Sequence, residues 1–181
     1  MAGKLHLPET TGDDAGTIDS GLGALEREIA RVRPADWASR PQLFRMRARL
    51  PRKGRAAALL ASTDRMWMAL KTYAEGGENE LHTHTNEDHG FIVLQGRARF
   101  FGPDGESVVL GRNEGIMLPR GCLYRFETEG DEPLVVLRVG CVVDAARSPW
   151  GRTDAEGRQI FGNAAENNTV ETVFDEDRVF G

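Results

Sequence analysis

Three of the four histidines of this 181-residue chain lie within eight residues, at His82, His84 and His89. Side chains two residues apart on a β-strand leave the same face, so His82 and His84 are expected to point in one direction. His89 follows a short polar turn at 85–88 and opens an apolar run, and a hairpin would fold it back beside the other two. A metal ion needs such convergence, with imidazole nitrogens about 2.0–2.1 Å from it. The spacing predicts a metal site, the alternative being surface or hydrogen-bonded core histidines.

The residues around the histidines are predicted to form β-strands. Apolar and polar side chains alternate in several short runs, and turns rich in glycine and proline separate them. About ten short strands with no helix between them are typical of an antiparallel sandwich or barrel. The predicted strands cover residues 43–50, 56–61, 65–74, 81–84, 89–94, 97–101, 107–110, 115–118, 123–128 and 134–143.

The two ends of the chain differ from this strand-rich centre. Leu25, Ile29 and Val32 have helical spacing, and Pro34 would stop the helix. The last segment holds several glycines and acids without strong periodicity, which favours an extended tail. The predicted organisation is a flexible tail at 1–18, a helical segment at 19–42, a barrel at 43–145, and a C-terminal extension at 146–181 that packs on the barrel or on a neighbour.

Composition excludes several classes of partner. The formal net charge is −5 and the sequence pI is about 5.4, which argues against nucleic acid or an anionic membrane. No apolar run approaches the roughly 18 residues of a membrane-spanning helix. The N-terminal residues lack the apolar centre of a signal peptide, so we expect a cytoplasmic protein. Its two cysteines have no framework spacing and are expected to be reduced.

The spacing of the histidine segment resembles the first motif of the cupin superfamily, Gly-(x5)-His-x-His-(x4)-Glu-(x6)-Gly. The chain fits it from Gly76 to Gly96, with His89 in the place of the glutamate. A second, more degenerate motif covers residues 113–124. It keeps the Pro-x-Gly core but has Tyr124 where the family's last histidine ligand stands. Asn113 replaces a glycine there, and asparagine tolerates the left-handed backbone conformation better than most residues.

This resemblance covers roughly residues 43–143 and implies an all-β, double-stranded β-helix or jelly-roll barrel, commonly a homodimer. It places a divalent metal ion in the barrel mouth, with His82, His84 and His89 as ligands and Tyr124 in the fourth position. Three neutral imidazoles leave the charge of the ion uncompensated and its coordination open. Such a site favours catalysis on an anionic or chelating small molecule.

Further residues are candidates for the chemistry. Tyr124 could ligate the metal, bond to a metal-bound water or act as a general acid or base, or it could simply line the mouth. Arg138 is a lone charge in an apolar strand and is the candidate for gripping a substrate anion, since unpaired burial would be costly. Phe91 shares the face of His89 and is a candidate for substrate contact or for the core. Glu87 falls in the predicted turn, where it serves solubility or orients a ligand imidazole.

The leading functional hypothesis is a metal-dependent dioxygenase, by analogy with the three-histidine oxygenases among cupins, with Fe²⁺ as the first choice of metal. Imidazole also suits Ni²⁺, Mn²⁺, Zn²⁺ and Cu²⁺. One alternative is a metal-dependent lyase, isomerase or dehydratase in which Tyr124 is the acid or base. The other is a cupin that binds a small molecule without catalysis, because one fold hosts many functions.

Overall fold

The computed structural model describes residues 18–19, 41–147, 151–160 and 170–181, and every regular element in these ranges is a β-strand. The predicted N-terminal helix and almost all of the predicted flexible tail lie outside them. Among the described residues, no helical segment has the length and hydropathy that a membrane crossing requires. The strands are β1 Ile18–Asp19, β2 Ala48–Lys53, β3 Arg55–Ser62, β4 Met66–Tyr73, β5 Thr83–His84, β6 Glu87–Gln95, β7 Ala98–Phe101, β8 Ser107–Leu110, β9 Gly115–Leu118, β10 Arg125–Thr128, β11 Leu134–Val142, β12 Arg152–Thr153 and β13 Val173–Phe180.

The strands form an antiparallel arrangement consistent with a jelly roll. The larger sheet has the order β1-β3-β4-β11-β6-β9, and a three-stranded sheet has the order β10-β7-β8. Alternation along each strand sends every second side chain inward, which fills the interior with aromatic and branched residues. The main core cluster consists of Tyr73, Phe91, Val93, Ala98, Phe100, Leu118, Tyr124, Phe126, Leu134 and Val136.

The turn between the histidines is shorter than the sequence suggested. The predicted turn covered residues 85–88, but β6 begins at Glu87, so only Thr85 and Asn86 connect it to β5. The Asn86 side chain explains the tight connection, because it donates to the Asp144 and Arg147 carbonyl oxygens and accepts from the Asp144 backbone N–H. These bonds tie the start of β6 to the segment after β11, and Glu87 therefore faces the interior.

The second motif has the backbone conformation that its residue types suggested. Asn113 has a φ of 69° and is the one non-glycine residue with positive φ in the described part of the chain. Its backbone N–H donates to the Val93 carbonyl oxygen at 2.8 Å. Asparagine thus takes the left-handed role that glycine has in the family motif.

The described part of the C-terminal segment adds two strands. β12 pairs with β5 and sets Arg152 opposite His84. β13 pairs with β2, and just before it the Thr172 hydroxyl donates to the Arg55 carbonyl oxygen at 2.6 Å. The predicted first strand at 43–50 is displaced to Ala48–Lys53, because β13 provides its hydrogen-bonding partner only there.

Candidate metal centre

Four neighbouring strands bring the candidate residues together inside the barrel. β5 carries His84, β6 carries Glu87 and His89, β11 carries Arg138, and β4 carries Trp67. β6 and β11 are hydrogen-bonded neighbours, and β4 pairs with the other edge of β11. All five side chains are buried. Strand alternation thus produces a compact polar cluster at one end of an apolar core.

Glu87 links this cluster. Its Oε2 accepts a hydrogen bond from His89 Nε2 at 3.2 Å, and its Oε1 accepts one from Trp67 Nε1 at 2.8 Å. His84 Nδ1 lies 3.8 Å from the same Oε2. His84, Glu87 and His89 form a group whose ligand atoms all lie within 4.8 Å of one another, as a metal site requires. The sequence analysis did not identify Glu87 as a candidate ligand, because its strand was predicted to start two residues later.

His82 lies next to this group and does not complete it. It forms a backbone bridge with Tyr124, with N–O distances of 3.0 and 2.9 Å. Its Nδ1 donates to the Glu80 carbonyl oxygen at 2.7 Å, so a neutral ring keeps its lone pair on Nε2. The rings of His82 and His84 are 5.3 Å apart. The predicted trio of imidazoles is therefore arranged as a pair, His84 and His89, with His82 to one side.

Tyr124 connects the polar cluster to a cavity. Its ring centroid lies 4.5 Å from that of His82, and it is 3% exposed. Among the described residues its buried hydroxyl has no hydrogen-bond partner. Tyr124 also borders a cavity of about 390 Å³ whose wall is mostly apolar and includes Phe100, Phe101, Ile116, Leu118, Cys122 and Leu123. A buried hydroxyl without a partner marks a position where a water or a ligand group would bond.

Arg138 contacts the histidines themselves. Its Nη2 lies 3.2 Å from His84 Nε2, 3.0 Å from His89 Nδ1 and 3.4 Å from His89 Nε2. The guanidinium lies over the rings of Trp67 and Phe91, 5.1 and 5.2 Å from their centroids. Phe91 is 1% exposed and belongs to the core cluster. The side chain expected to grip a substrate anion thus points at the imidazoles, and the expected substrate-contacting Phe91 packs against it.

Burial keeps the three imidazoles neutral. The pKa of His82, His84 and His89 is lowered well below 6.5, first by desolvation and then by nearby positive charges, among them Arg138. Burial also raises the pKa of Tyr124, although Arg138 and Arg152 oppose that shift. Neutral imidazoles are the form that binds metal ions. The tyrosine retains its proton at neutral pH.

Further buried cations surround the cluster. Lys71 on β4, Arg55 on β3 and Arg152 on β12 are all buried, and the charge of Arg152 lowers the pKa of His82. In the described part of the chain Glu87 is the one buried carboxylate. Lys71 could have been identified from the sequence as a buried cation, because like Arg138 it is a lone charge within an apolar run. Arg152 could not, because it lies in a segment without strand periodicity.

The donor set suits a divalent transition metal. Two imidazoles and a carboxylate leave open positions on a first-row ion such as Fe²⁺. The unsatisfied Tyr124 hydroxyl and the buried His84 Nδ1, which has no hydrogen-bond partner among the described residues, are further atoms that a bound group would satisfy. The residues therefore fit such an ion once the Arg138 contacts are released.

Comparison with known proteins supports the fold. Residues 69–140 match the family model described as "Cupin domain". The chain therefore carries a cupin domain, and its resemblance to the cupin superfamily is confirmed. This domain contains every strand that contributes to the His84, Glu87 and His89 group.

Individual relatives are more distant. The "Uncharacterized protein YdbB" of Bacillus subtilis (strain 168) is 37% identical over 49 residues, which cover 27% of this chain and 43% of that protein. The chain thus spans less than half of this curated relative. Among solved structures, a conserved protein with a double-stranded β-helix domain from Klebsiella pneumoniae is 17% identical, covering 71% of this chain and 91% of that chain, with a TM-score of 0.46. The Schizosaccharomyces pombe Cnp3 cupin domain is 15% identical, covering 51% and 67%, with a TM-score of 0.46.

Proposed function

We propose that this protein is a metal-dependent cupin enzyme that acts on a small anionic or enolisable organic substrate. The observation that carries the proposal is the buried group of His84, Glu87 and His89, whose ligand atoms lie within 4.8 Å of one another. Burying a carboxylate and two imidazoles together is costly unless they are hydrogen-bonded or hold an ion. A buried cluster of this composition is typical of a catalytic metal site.

The reaction type that we propose is a dioxygenation with Fe²⁺ as the metal. Two histidines and one carboxylate with open positions are the ligand set of non-haem Fe(II) oxygenases. The metal would supply a place where an organic substrate and oxygen meet. The protein residues around it would orient the substrate and exclude water, which the buried walls of Phe91 and Trp67 favour.

The surroundings suggest the kind of substrate. The 390 Å³ cavity beside Tyr124 has a mostly apolar wall and accommodates a small organic skeleton. The interior around the histidines is rich in buried cations, with Lys71, Arg138 and Arg152 on three different strands. A substrate with an apolar body and an acidic or enolisable end would place each part in a matching environment.

A second candidate is a lyase, isomerase or dehydratase in which Tyr124 is the general acid. The specific support is its buried hydroxyl, which has no partner among the described residues and retains its proton at neutral pH. A positioned tyrosine of this kind can donate to an oxygen of a substrate held beside it. This reaction would consume no oxygen.

The proposal is tested with protein prepared without chelator and reconstituted anaerobically with Fe²⁺. We expect about one iron per chain in the wild type and much less in His84→Ala and Glu87→Gln. Glu129→Gln, which changes a surface carboxylate paired with Arg99, is the matched control and should retain iron. Iron retention in both centre variants would refute the metal centre.

Turnover separates the reaction types. A panel of enolisable acids and phenolic acids is screened for oxygen uptake and, in parallel, for anaerobic product formation. Oxygen uptake that depends on Fe²⁺ and on His89 supports the dioxygenase. Anaerobic turnover that Tyr124→Phe abolishes supports the second candidate, and tight binding without turnover would indicate a non-catalytic cupin.

A further inference from the structure

Arg138 occupies the side of the histidines from which they could bind a cation. Its Nη2 lies 3.2 Å from His84 Nε2, 3.0 Å from His89 Nδ1 and 3.4 Å from His89 Nε2. A guanidinium nitrogen is a donor with no lone pair to offer, so any ring nitrogen that bonds to it must accept.

These contacts fix the protons of both rings. A neutral imidazole has one N–H and one lone pair. The Glu87 carboxylate can only accept, so the proton of a neutral His89 lies on Nε2, 3.2 Å from Oε2, and its lone pair lies on Nδ1, the ring nitrogen closer to Arg138. Arg138 can only donate, so His84 Nε2 carries the lone pair of that ring and its proton lies on Nδ1, 3.8 Å from the same oxygen. Arg138 thus lies beside the lone pairs of both rings, where an ion would bind.

We propose that Arg138 is an internal cation that competes with a divalent metal ion for His84 and His89. The inference rests on the proposed function, because it concerns the same metal centre. Arginine stays protonated throughout the physiological pH range, so the competition is relieved by movement of the side chain and not by its titration. One restraint on such movement is absent, since the buried Nε of Arg138 has no hydrogen-bond partner among the described residues.

The charges of the cluster match the guanidinium more closely than a divalent ion. Glu87 compensates one positive charge beside the two imidazoles, which equals the charge of the guanidinium and half of the charge of a divalent metal ion. The aromatic rings of Trp67 and Phe91 hold the guanidinium by cation–π contacts, at 5.1 and 5.2 Å. The centre would therefore remain stable without metal, and metal would bind more weakly than its ligand set alone suggests.

The test is a titration of metal-free protein with Co²⁺, followed by calorimetry and by the visible absorption of the bound ion. We expect Arg138→Met to bind Co²⁺ at least about tenfold more tightly than the wild type, because hydrogen bonds to charged groups are among the stronger ones in proteins. The matched control is Arg55→Met, which removes another buried arginine whose guanidinium bonds to Asn79. The Arg55→Met variant should gain much less affinity for Co²⁺.

The outcomes separate the two proposals. Equal and measurable Co²⁺ affinity in the wild type and Arg138→Met overturns the competition and leaves the metal centre standing. Absence of Co²⁺ binding in both proteins overturns the metal centre, and the competition with it. Equal gains in Arg138→Met and Arg55→Met also overturn the competition, because they show a general effect of charge.

A measurement on the wild type keeps the inference testable if Arg138→Met does not fold. Histidine ring ¹⁵N NMR of the metal-free protein reports which nitrogen carries each proton. We expect the proton of His84 on Nδ1 and that of His89 on Nε2, with both patterns lost when excess Co²⁺ or Zn²⁺ is added. A proton on His89 Nδ1 in the metal-free protein would overturn the competition, since that nitrogen could not accept from Arg138.

Discussion

Glu87 is the residue on which the polar cluster depends. Its two oxygens accept from Trp67 and His89, and it is 2% exposed. Glu87→Gln keeps the shape but replaces one acceptor by a donor, which then faces an N–H group. We expect the free energy of unfolding to fall by about 2–3 kcal/mol, the magnitude of a lost hydrogen bond to a charged group. Urea denaturation measures it.

Glu129→Gln is the comparison for this prediction. Glu129 also accepts two hydrogen bonds, both from Arg99, but a third of its side chain is exposed. Exposed ion pairs stabilise little, so its substitution should leave the urea midpoint almost unchanged. Equal losses of unfolding free energy in Glu87→Gln and Glu129→Gln would show that burial does not increase the contribution of Glu87 to stability.

Substitution of Tyr124 should raise the stability of the protein while it lowers its function. Its buried hydroxyl has no partner among the described residues, and a buried polar group without a partner is destabilising. We expect Tyr124→Phe to raise the free energy of unfolding by about 1 kcal/mol while it lowers substrate binding or turnover. Thermal and urea unfolding check the first part. A loss of stability would mean that the hydroxyl is already bonded in the folded protein.

At the scale of elements, the packing of β4 on β11 holds the cluster in place. Gly140 on β11 is opposite Trp67 on one side and His89 on the other. A Cβ at Gly140 would overlap the Trp67 indole, so glycine here allows the indole to reach across to Glu87. The sequence motif did not include this glycine, because its role depends on two strands far apart in the chain.

Gly140→Ala should therefore displace Trp67 from Glu87. We expect a loss of about 1–3 kcal/mol, as for other overpacked cores, together with a change in tryptophan fluorescence and weaker metal binding. Gly90→Ala is the matched control on β6, because a Cβ there would meet only the Met117 Cε at 4.0 Å. Similar effects of the two substitutions would contradict this account of the packing.

The elements also show where local sequence signals are sufficient. The alternation of β6 predicted that His89 and Phe91 share one face, and both are buried. The start of β6 was wrong by two residues, because polar residues at 85–88 read as a turn. Asn86 and Glu87 are instead buried through hydrogen bonds to distant residues, which a local pattern cannot reveal.

At the scale of the whole molecule, three buried neutral histidines make folding sensitive to pH. Their pKa values in the folded state lie well below 6.5. As the pH falls through 6.5, the unfolded chain takes up protons that the folded chain does not. Stability is therefore present above about pH 6.5 and is lost below it, with a slope of up to about 4 kcal/mol per pH unit for three groups.

Denaturation of metal-free protein between pH 7.5 and 5 measures this slope. His82→Gln should reduce it by about one third, because the remaining two histidines still titrate only in the unfolded chain. The substitution is chosen outside the His84, Glu87 and His89 group, which stays intact. A slope that is the same in the variant would show that His82 is protonated in the folded protein as well.

The sequence by itself determined the class of fold and the neighbourhood of the site. Strand alternation, turn residues and the spacing from Gly76 to Gly96 are local, and they sufficed to place His84 and His89 on neighbouring strands of a β-barrel of the cupin kind. Only the tertiary structure decided which groups meet. Strand pairings between distant segments bring three further residues to the site, namely Glu87, Gly140 and Arg152. Whether Arg138 faces a substrate or the imidazoles depends on side-chain packing across three strands. A local sequence pattern cannot predict hydrogen bonds between side chains on separate strands.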